Sequence, residues 1–240
     1  MLCLSRRMQR FMSYTKRIVC LANSFKTGGL CIAGREVTDA GYGGWVRPVS
    51  SRPHEELTYL EYRYADGSSP RLLDVVEVTL QLPMPHKHQS ENHLIEAKRG
   101  WVKRGEVPFE ELPALLEHPE SLWTDSDHTA SGLMNCVSHE EAAQYTSSLY
   151  LVEVQNFAIW VTPGQRGNRA FYGVFLLNGH LYKLSVTDPQ VRERYDTHAM
   201  GKYRVQGQRD TILCVSLTKP YEGDGRCHKL IASVFTQPPL

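Results

Sequence analysis

Asn23, Ser24, Lys26, Arg35, Trp45 and Arg47 bring an amide, a hydroxyl, cations and an indole into one short stretch of chain. Such a set has the equipment to hold a single-stranded nucleic acid, because bases stack on aromatic rings while cations follow the phosphates. Trp45 and Arg47 lie on a strand flanked by Gly43-Gly44 and stopped by Pro48. A core position for Trp45, with Arg47 paired to a surface carboxylate such as Glu36 or Asp39, fits the same residues. One strand alone does not show which face is open. Asn23 and Ser24 follow a strand and Lys26 precedes Gly28-Gly29, so this turn can offer amides, a hydroxyl and an ammonium group to a phosphate. It lacks the G-x-x-x-x-G-K-[ST] spacing of an NTPase loop. An Asx-turn beside a solvated lysine is the plainer reading. Farther along, Trp160, Arg166, Arg169, Phe171 and Tyr172 interleave aromatic and basic side chains, with Gly164 and Gly167 predicting a loop over 163–168. They form a second candidate strand-binding surface, although at least one of Phe171 and Tyr172 is expected in a core.

Other chemistries find less support. His86, His88, Glu91 and His93 invite a metal reading, yet no H-E-x-x-H helix exists, and Pro83 and Pro85 make the approach irregular. A third ligand would have to come from elsewhere. A loop that fixes strand ends through Glu91 and Asn92 accounts for them better. The six cysteines contain no C-x-x-C pair, and Cys20 and Cys214 lie in apolar runs where thiols behave as small buried hydrophobes. No G-x-S-x-G elbow is present, and Cys227-His228 would point to opposite faces of a strand. The expected inventory is no catalytic residue, no metal and no cofactor, with an enzyme assembled from dispersed residues left open.

Strands must position these groups. Lys16 to Ala22 and Leu30 to Val37 are β-branched runs separated by Gly28-Gly29, and Leu72 to Leu82 alternates Val76, Val78 and Leu80 against Glu77, Thr79 and Gln81. Ser148 to Val161 repeats the alternation. Asn178-Gly179 between Ala170–Leu177 and His180–Val186 predicts a type I′ hairpin. Asp188-Pro189 opens a helix to about Met200, and Thr211–Leu217 and Lys229–Phe235 add two strands. Pro108 to Glu117 and His139 to Tyr145 have helical composition, with Ser138 and Glu141 spaced as a capping box. Short strands separated by glycine turns predict a barrel or a sandwich.

The net charge of +1 hides an uneven distribution. Residues 106–146 hold nine acidic side chains and no Lys or Arg, while both flanks are basic-rich. Two lobes and a connector follow. No apolar run approaches the roughly 20 residues that cross a bilayer. Arg6, Arg7 and Arg10 lack the following apolar stretch of about 7–15 residues that a signal peptide needs, so a cytoplasmic location with no membrane partner is expected. Met8 or Met12 could be the true start.

The segments Cys20-Leu21-Ala22-Asn23-Ser24, Cys31-Ile32-Ala33-Gly34, Gly44-Trp45-Val46-Arg47-Pro48-Val49-Ser50 and Glu91-Asn92-His93-Leu94-Ile95 resemble the bacterial dual OB-containing domain family. So do Val186-Thr187-Asp188-Pro189, Cys214-Val215-Ser216-Leu217 and Lys229-Leu230-Ile231-Ala232, and the likeness runs from about residue 16 to the end. It implies two tandem OB folds, a recognition role and a place in prokaryotic defence or mobile-element systems. The expected architecture is mostly β with minor α: an N-terminal extension 1–15, a first OB-like lobe 16–104, an acidic helical connector 105–146 and a second OB-like lobe 147–240. The expected function is non-catalytic recognition of nucleic acid, single-stranded by preference, with an effector protein as partner. The alternatives are a protein-interaction scaffold and a sensor or enzyme for a nucleotide-like small molecule.

Overall fold

The computed structural model describes residues 12–124, 127–164, 167–205 and 211–239. Its first sheet is made by β1 (Tyr14–Lys26), β2 (Gly29–Thr38), β3 (Gly41–Val49), β4 (Asp74–Pro83), β5 (Asn92–Ile95) and β6 (Val102–Glu106). The order β1-β2-β3-β5-β4 closes on itself because β1 also pairs with β4, and β6 adds outside β4. Ile18 shows the closure directly, facing Glu36 of β2 on one side and Val76 of β4 on the other. All contacts in the ring are antiparallel except β3 with β5, which run parallel from Arg47↔Asn92 to Val49↔Leu94.

The second sheet repeats this plan. β7 (Cys136–Val137) lies outside it, and β8 (Leu149–Pro163), β9 (Arg169–Leu177), β10 (His180–Val186), β12 (Thr211–Pro220) and β13 (Cys227–Phe235) close in the order β8-β9-β10-β13-β12. The parallel contact recurs between third and fifth strands, Ser185↔Leu230 and Val186↔Ile231. A further strand, β11 (Gly201–Arg204), pairs with β8. Each barrel carries a short helix between its third and fourth strands, α1 (Tyr59–Tyr62) and α3 (Pro189–Tyr195). Two closed five-stranded barrels of identical connectivity, each with that helix, are two OB folds.

Alternation explains how one sequence builds two barrels and a joint. In β1, Ile18 and Cys20 fill the first barrel, whereas Val19, Leu21 and, past a bulge at Cys20/Ala22, Ala22 face outward. In water an outward apolar row would be costly. Here it meets Leu149, Leu151, Ile212, Cys214, Ala232 and Phe235 of the second barrel, forming a third core between the two barrel interiors. Gly34 of β2 is required by the close approach of β1 at the bulge, since a Cβ there would lie 2.0 Å from the Val19 carbonyl oxygen.

The acidic stretch is only sparsely helical. A 3-10 turn spans Phe109–Leu115, and α2 covers only His139–Ala142, capped by the Ser138 hydroxyl accepting from the Glu141 amide at 3.1 Å. Pro113 withholds an amide, which favours the tighter turn. Leu112 and Leu115 enter the core between the barrels, so this segment is built into the joint. The helix after Asp188 ends at Tyr195, ahead of the expected Met200, and β11 follows. Among the described residues no helix is long and apolar enough to cross a membrane.

Candidate nucleic-acid interface

The first candidate group is distributed over the joint between the barrels. Asn23 and Ser24 belong to β1 itself, which pairs with β2 as far as Lys26↔Gly29. The Asn23 amide donates to the Ser233 hydroxyl at 3.0 Å, and the Ser24 hydroxyl donates to that of Thr187 at 2.7 Å. Both partners belong to the second barrel's side of the joint. Arg47 is buried: its guanidinium pairs with Glu91 at 2.9 Å and donates to the Ser148 hydroxyl at 2.9 Å. Glu91 also accepts from Ser148, so a loop residue of the first barrel and a strand end of the second share one arginine. Glu91 and Asn92 therefore do fix strand ends, and the strand ends include those of the other barrel.

Trp45 is half-buried and its indole N–H donates to Glu117 at 3.1 Å. Glu117 in turn accepts from the Leu151 amide at 3.0 Å and pairs with Arg35 at 3.6 Å. Arg35 lies 5.9 Å from the Trp45 ring centroid and donates to the Gly43 carbonyl at 2.6 Å. Neither surface carboxylate suggested by the sequence, Glu36 or Asp39, is the Arg47 partner. Ser24, Lys26 and Arg47 of this group line a cleft between the barrels, while Trp45 and Arg35 stand outside that cleft. The open groove joining Trp45, Arg47 and Lys26 does not form, because Arg47 is buried against Ser148 of the second barrel while Trp45 and Arg35 are held by Glu117 of the acidic segment.

His88 also serves the joint, whereas His93 bonds within the first barrel. A His88 ring nitrogen lies 2.9 Å from the Thr218 carbonyl oxygen, and His93 Nδ1 is 2.6 Å from the Tyr14 hydroxyl. Burial pushes both imidazoles down from their ordinary value, so they hold less charge near neutrality. Among the described residues no group of three His, Cys, Asp or Glu side chains could hold a metal ion. Cys20 is wholly buried, and burial pushes its thiol up to about 12.

An open aromatic and basic surface does exist, on the second barrel. The hairpin turn Asn178-Gly179 has φ of 49° and 83° at its two residues, the geometry that the dipeptide favours. It fixes Lys183 opposite Val174 and Ser185 opposite Tyr172. β8 then sets Trp160 opposite Tyr172, and β11 sets Lys202 opposite Trp160. Odd-numbered Phe171 and Phe175 fill the barrel, so Tyr172 points outward. The Lys183 ammonium lies 4.3 Å from the Trp160 ring centroid and 4.4 Å from that of Tyr172. It pairs with no carboxylate among the described residues, and partial burial lowers its pKa. Trp160 is 39% exposed and Lys202 is exposed.

Residues 16–234 match the family model of the dual OB-containing domain. The chain belongs to the dual OB-containing domain family. No curated protein matches the sequence. In this dual OB chain the strands equivalent to the second and third of a single OB fold are β2–β3 and β9–β10. That face carries oligonucleotide ligands in OB folds generally, and the first barrel has given most of its copy to the joint.

Of the remaining sequence candidates, Arg169 opposes Pro163 at the edge of β9 and donates to the His198 carbonyl. Arg166 lies outside the described residues. Trp160 and Tyr172 of the second candidate group join the open platform. Lys183 and Lys202 were missed. Lys183 was recoverable from the sequence, because a two-residue turn at Asn178-Gly179 fixes which side chains stand beside Tyr172.

Proposed function

We propose that this dual OB protein is a recognition module for single-stranded nucleic acid, reading the strand through the β8–β11 face of its second barrel. The observation that carries the reading is the Lys183 ammonium held between the Trp160 and Tyr172 rings with Lys202 alongside. Bases stack on the exposed ring faces and phosphates follow the ammonium groups, a combination that binds strands with little sequence preference. Pre-placed lysines also cost less to order than free ones. In this role the module delivers or licenses a partner effector, in keeping with a place in a prokaryotic defence or mobile-element system.

Fluorescence anisotropy with labelled single-stranded and duplex DNA and RNA at low ionic strength tests the proposal. Single strands are expected to bind more tightly than duplexes. Absence of binding to every form at low salt, where phosphate contacts are strongest, would sink it.

A further inference from the structure

A cavity of about 720 Å³ opens between the barrels, within the range of small-ligand sites. The turn end of β1–β2 supplies one wall with Ser24, Lys26 and Cys31, and the hairpin of β12 and β13 supplies the other with Thr218, Lys219, Tyr221 and His228. Ala22, Leu149 and Ala232 make an apolar floor.

The charged groups lining it are lopsided. Lys26, Arg47, Lys219 and Lys229 stand against one lining carboxylate, Glu222, which is exposed. Three of the cations are engaged: Arg47 by Glu91, Lys219 by Glu55 at 2.5 Å, and Lys229 by the Thr124 carbonyl. Lys26 has no carboxylate at ion-pair distance among the described residues. Burial lowers its pKa, against the opposing influence of Cys31 and Glu55 and with the like charges of Arg47 and Lys219. The Nε of Arg47 is buried without a hydrogen-bond partner. An anion in the cleft would answer this surplus.

Two exposed rings complete the lining. Phe25 is 48% exposed and Tyr221 is 61% exposed, the latter resting edge-on against His228 at 5.8 Å between ring centroids. Solvent-facing aromatic rings beside a cationic wall provide for a flat base as well as a phosphate.

We infer that the cleft between the two barrels binds a free nucleoside monophosphate, its phosphate at Lys26 and its base against the Tyr221 ring. None of Trp160, Tyr172, Lys183 and Lys202 lines this cleft, and it has walls from both barrels. Its occupant would therefore tie the joint together and stabilise the protein by mass action.

Calorimetric titration with the four ribonucleoside 5′-monophosphates, adenosine and inorganic phosphate tests the site. At least one monophosphate is expected to bind more tightly than adenosine or phosphate alone. Lys26→Met is expected to weaken it tenfold or more, and Tyr221→Ala, at an exposed position that folding does not need, to weaken it while leaving phosphate unaffected. Trp160→Ala should leave monophosphate affinity unchanged, and Lys26→Met should leave oligonucleotide affinity unchanged. No heat with any monophosphate at millimolar concentration overturns the inference. So does phosphate binding as tightly as the monophosphates, or an equal loss of oligonucleotide affinity in Lys26→Met, which would make the cleft part of the strand path.

Discussion

Arg47 and Glu91 form an ion pair 2.9 Å long whose two side chains are each 3% exposed, and the guanidinium also donates to Asn92 of its own barrel and to Ser148 and Ser216 of the other. A charge withdrawn from water this completely is tolerated only with its partner in place. Arg47→Met is therefore expected to cost about 3–5 kcal/mol by stranding Glu91. The Arg47→Met/Glu91→Met double variant should recover a large part of that loss. Urea denaturation of the wild type and the two variants measures both quantities. A double variant as unstable as Arg47→Met would show that the loss came from packing and not from the orphaned carboxylate.

The platform on the second barrel makes a prediction about single side chains. Trp160→Ala and Tyr172→Ala are each expected to weaken single-strand binding by about 1–3 kcal/mol, the range for one lost base stack. Trp160→Phe should retain most of the affinity. Anisotropy titrations at one fixed salt concentration check this, with denaturation curves confirming that each variant stays folded.

Lysines on the same face should appear in the salt dependence. A phosphate contact on a single strand contributes roughly −0.7 to the slope of log K against log salt. Lys202→Ala is expected to flatten that slope by about this amount and to weaken all sequences alike. An unchanged slope would place Lys202 off the strand path.

Asp188 couples the second barrel to pH. Its carboxylate accepts from the amides of Gln190 and Val234 at 2.8 and 2.9 Å, yet burial outweighs these bonds and pushes it up to about 6 from 3.8. Below about pH 4 both folded and unfolded chains hold the proton. Between the two values the unfolded chain releases it first, so native stability falls as pH rises and levels off above about 6. The full shift corresponds to roughly 3 kcal/mol. Asp188→Asn should remove this slope, whatever it costs at any one pH. His88 and His93, held down by burial, slope the opposite way. The quantity to measure is therefore the difference between wild type and variant at pH 4 and pH 7.

Local grammar read well from the residues. The Asn178-Gly179 hairpin, the alternation of Val76, Val78 and Leu80, and the Ser138 cap all depend on neighbours close along the chain or across one turn. Such features are set by backbone preference and period. Asn23 and Ser24 were harder, since the strand-ending chemistry of their side chains is overridden by pairing with Ile32 and Cys31. The joint was out of reach for a different reason. Arg47 meets Ser148 across 101 residues and Trp45 meets Glu117 across 72. Alternation identifies the two faces of a strand and is silent about which one another barrel will cover.

That coverage has a consequence for how the protein occupies a strand. Because Val37, Tyr42 and Trp45 on β2–β3 of the first barrel pack into the joint, the proposed strand-binding face is that of the second barrel alone. Single OB folds occlude about 4–16 nucleotides. Despite its two barrels, each protein molecule should block a footprint of one OB fold, and a homopolymer lattice should saturate at the density of a single-barrel binder.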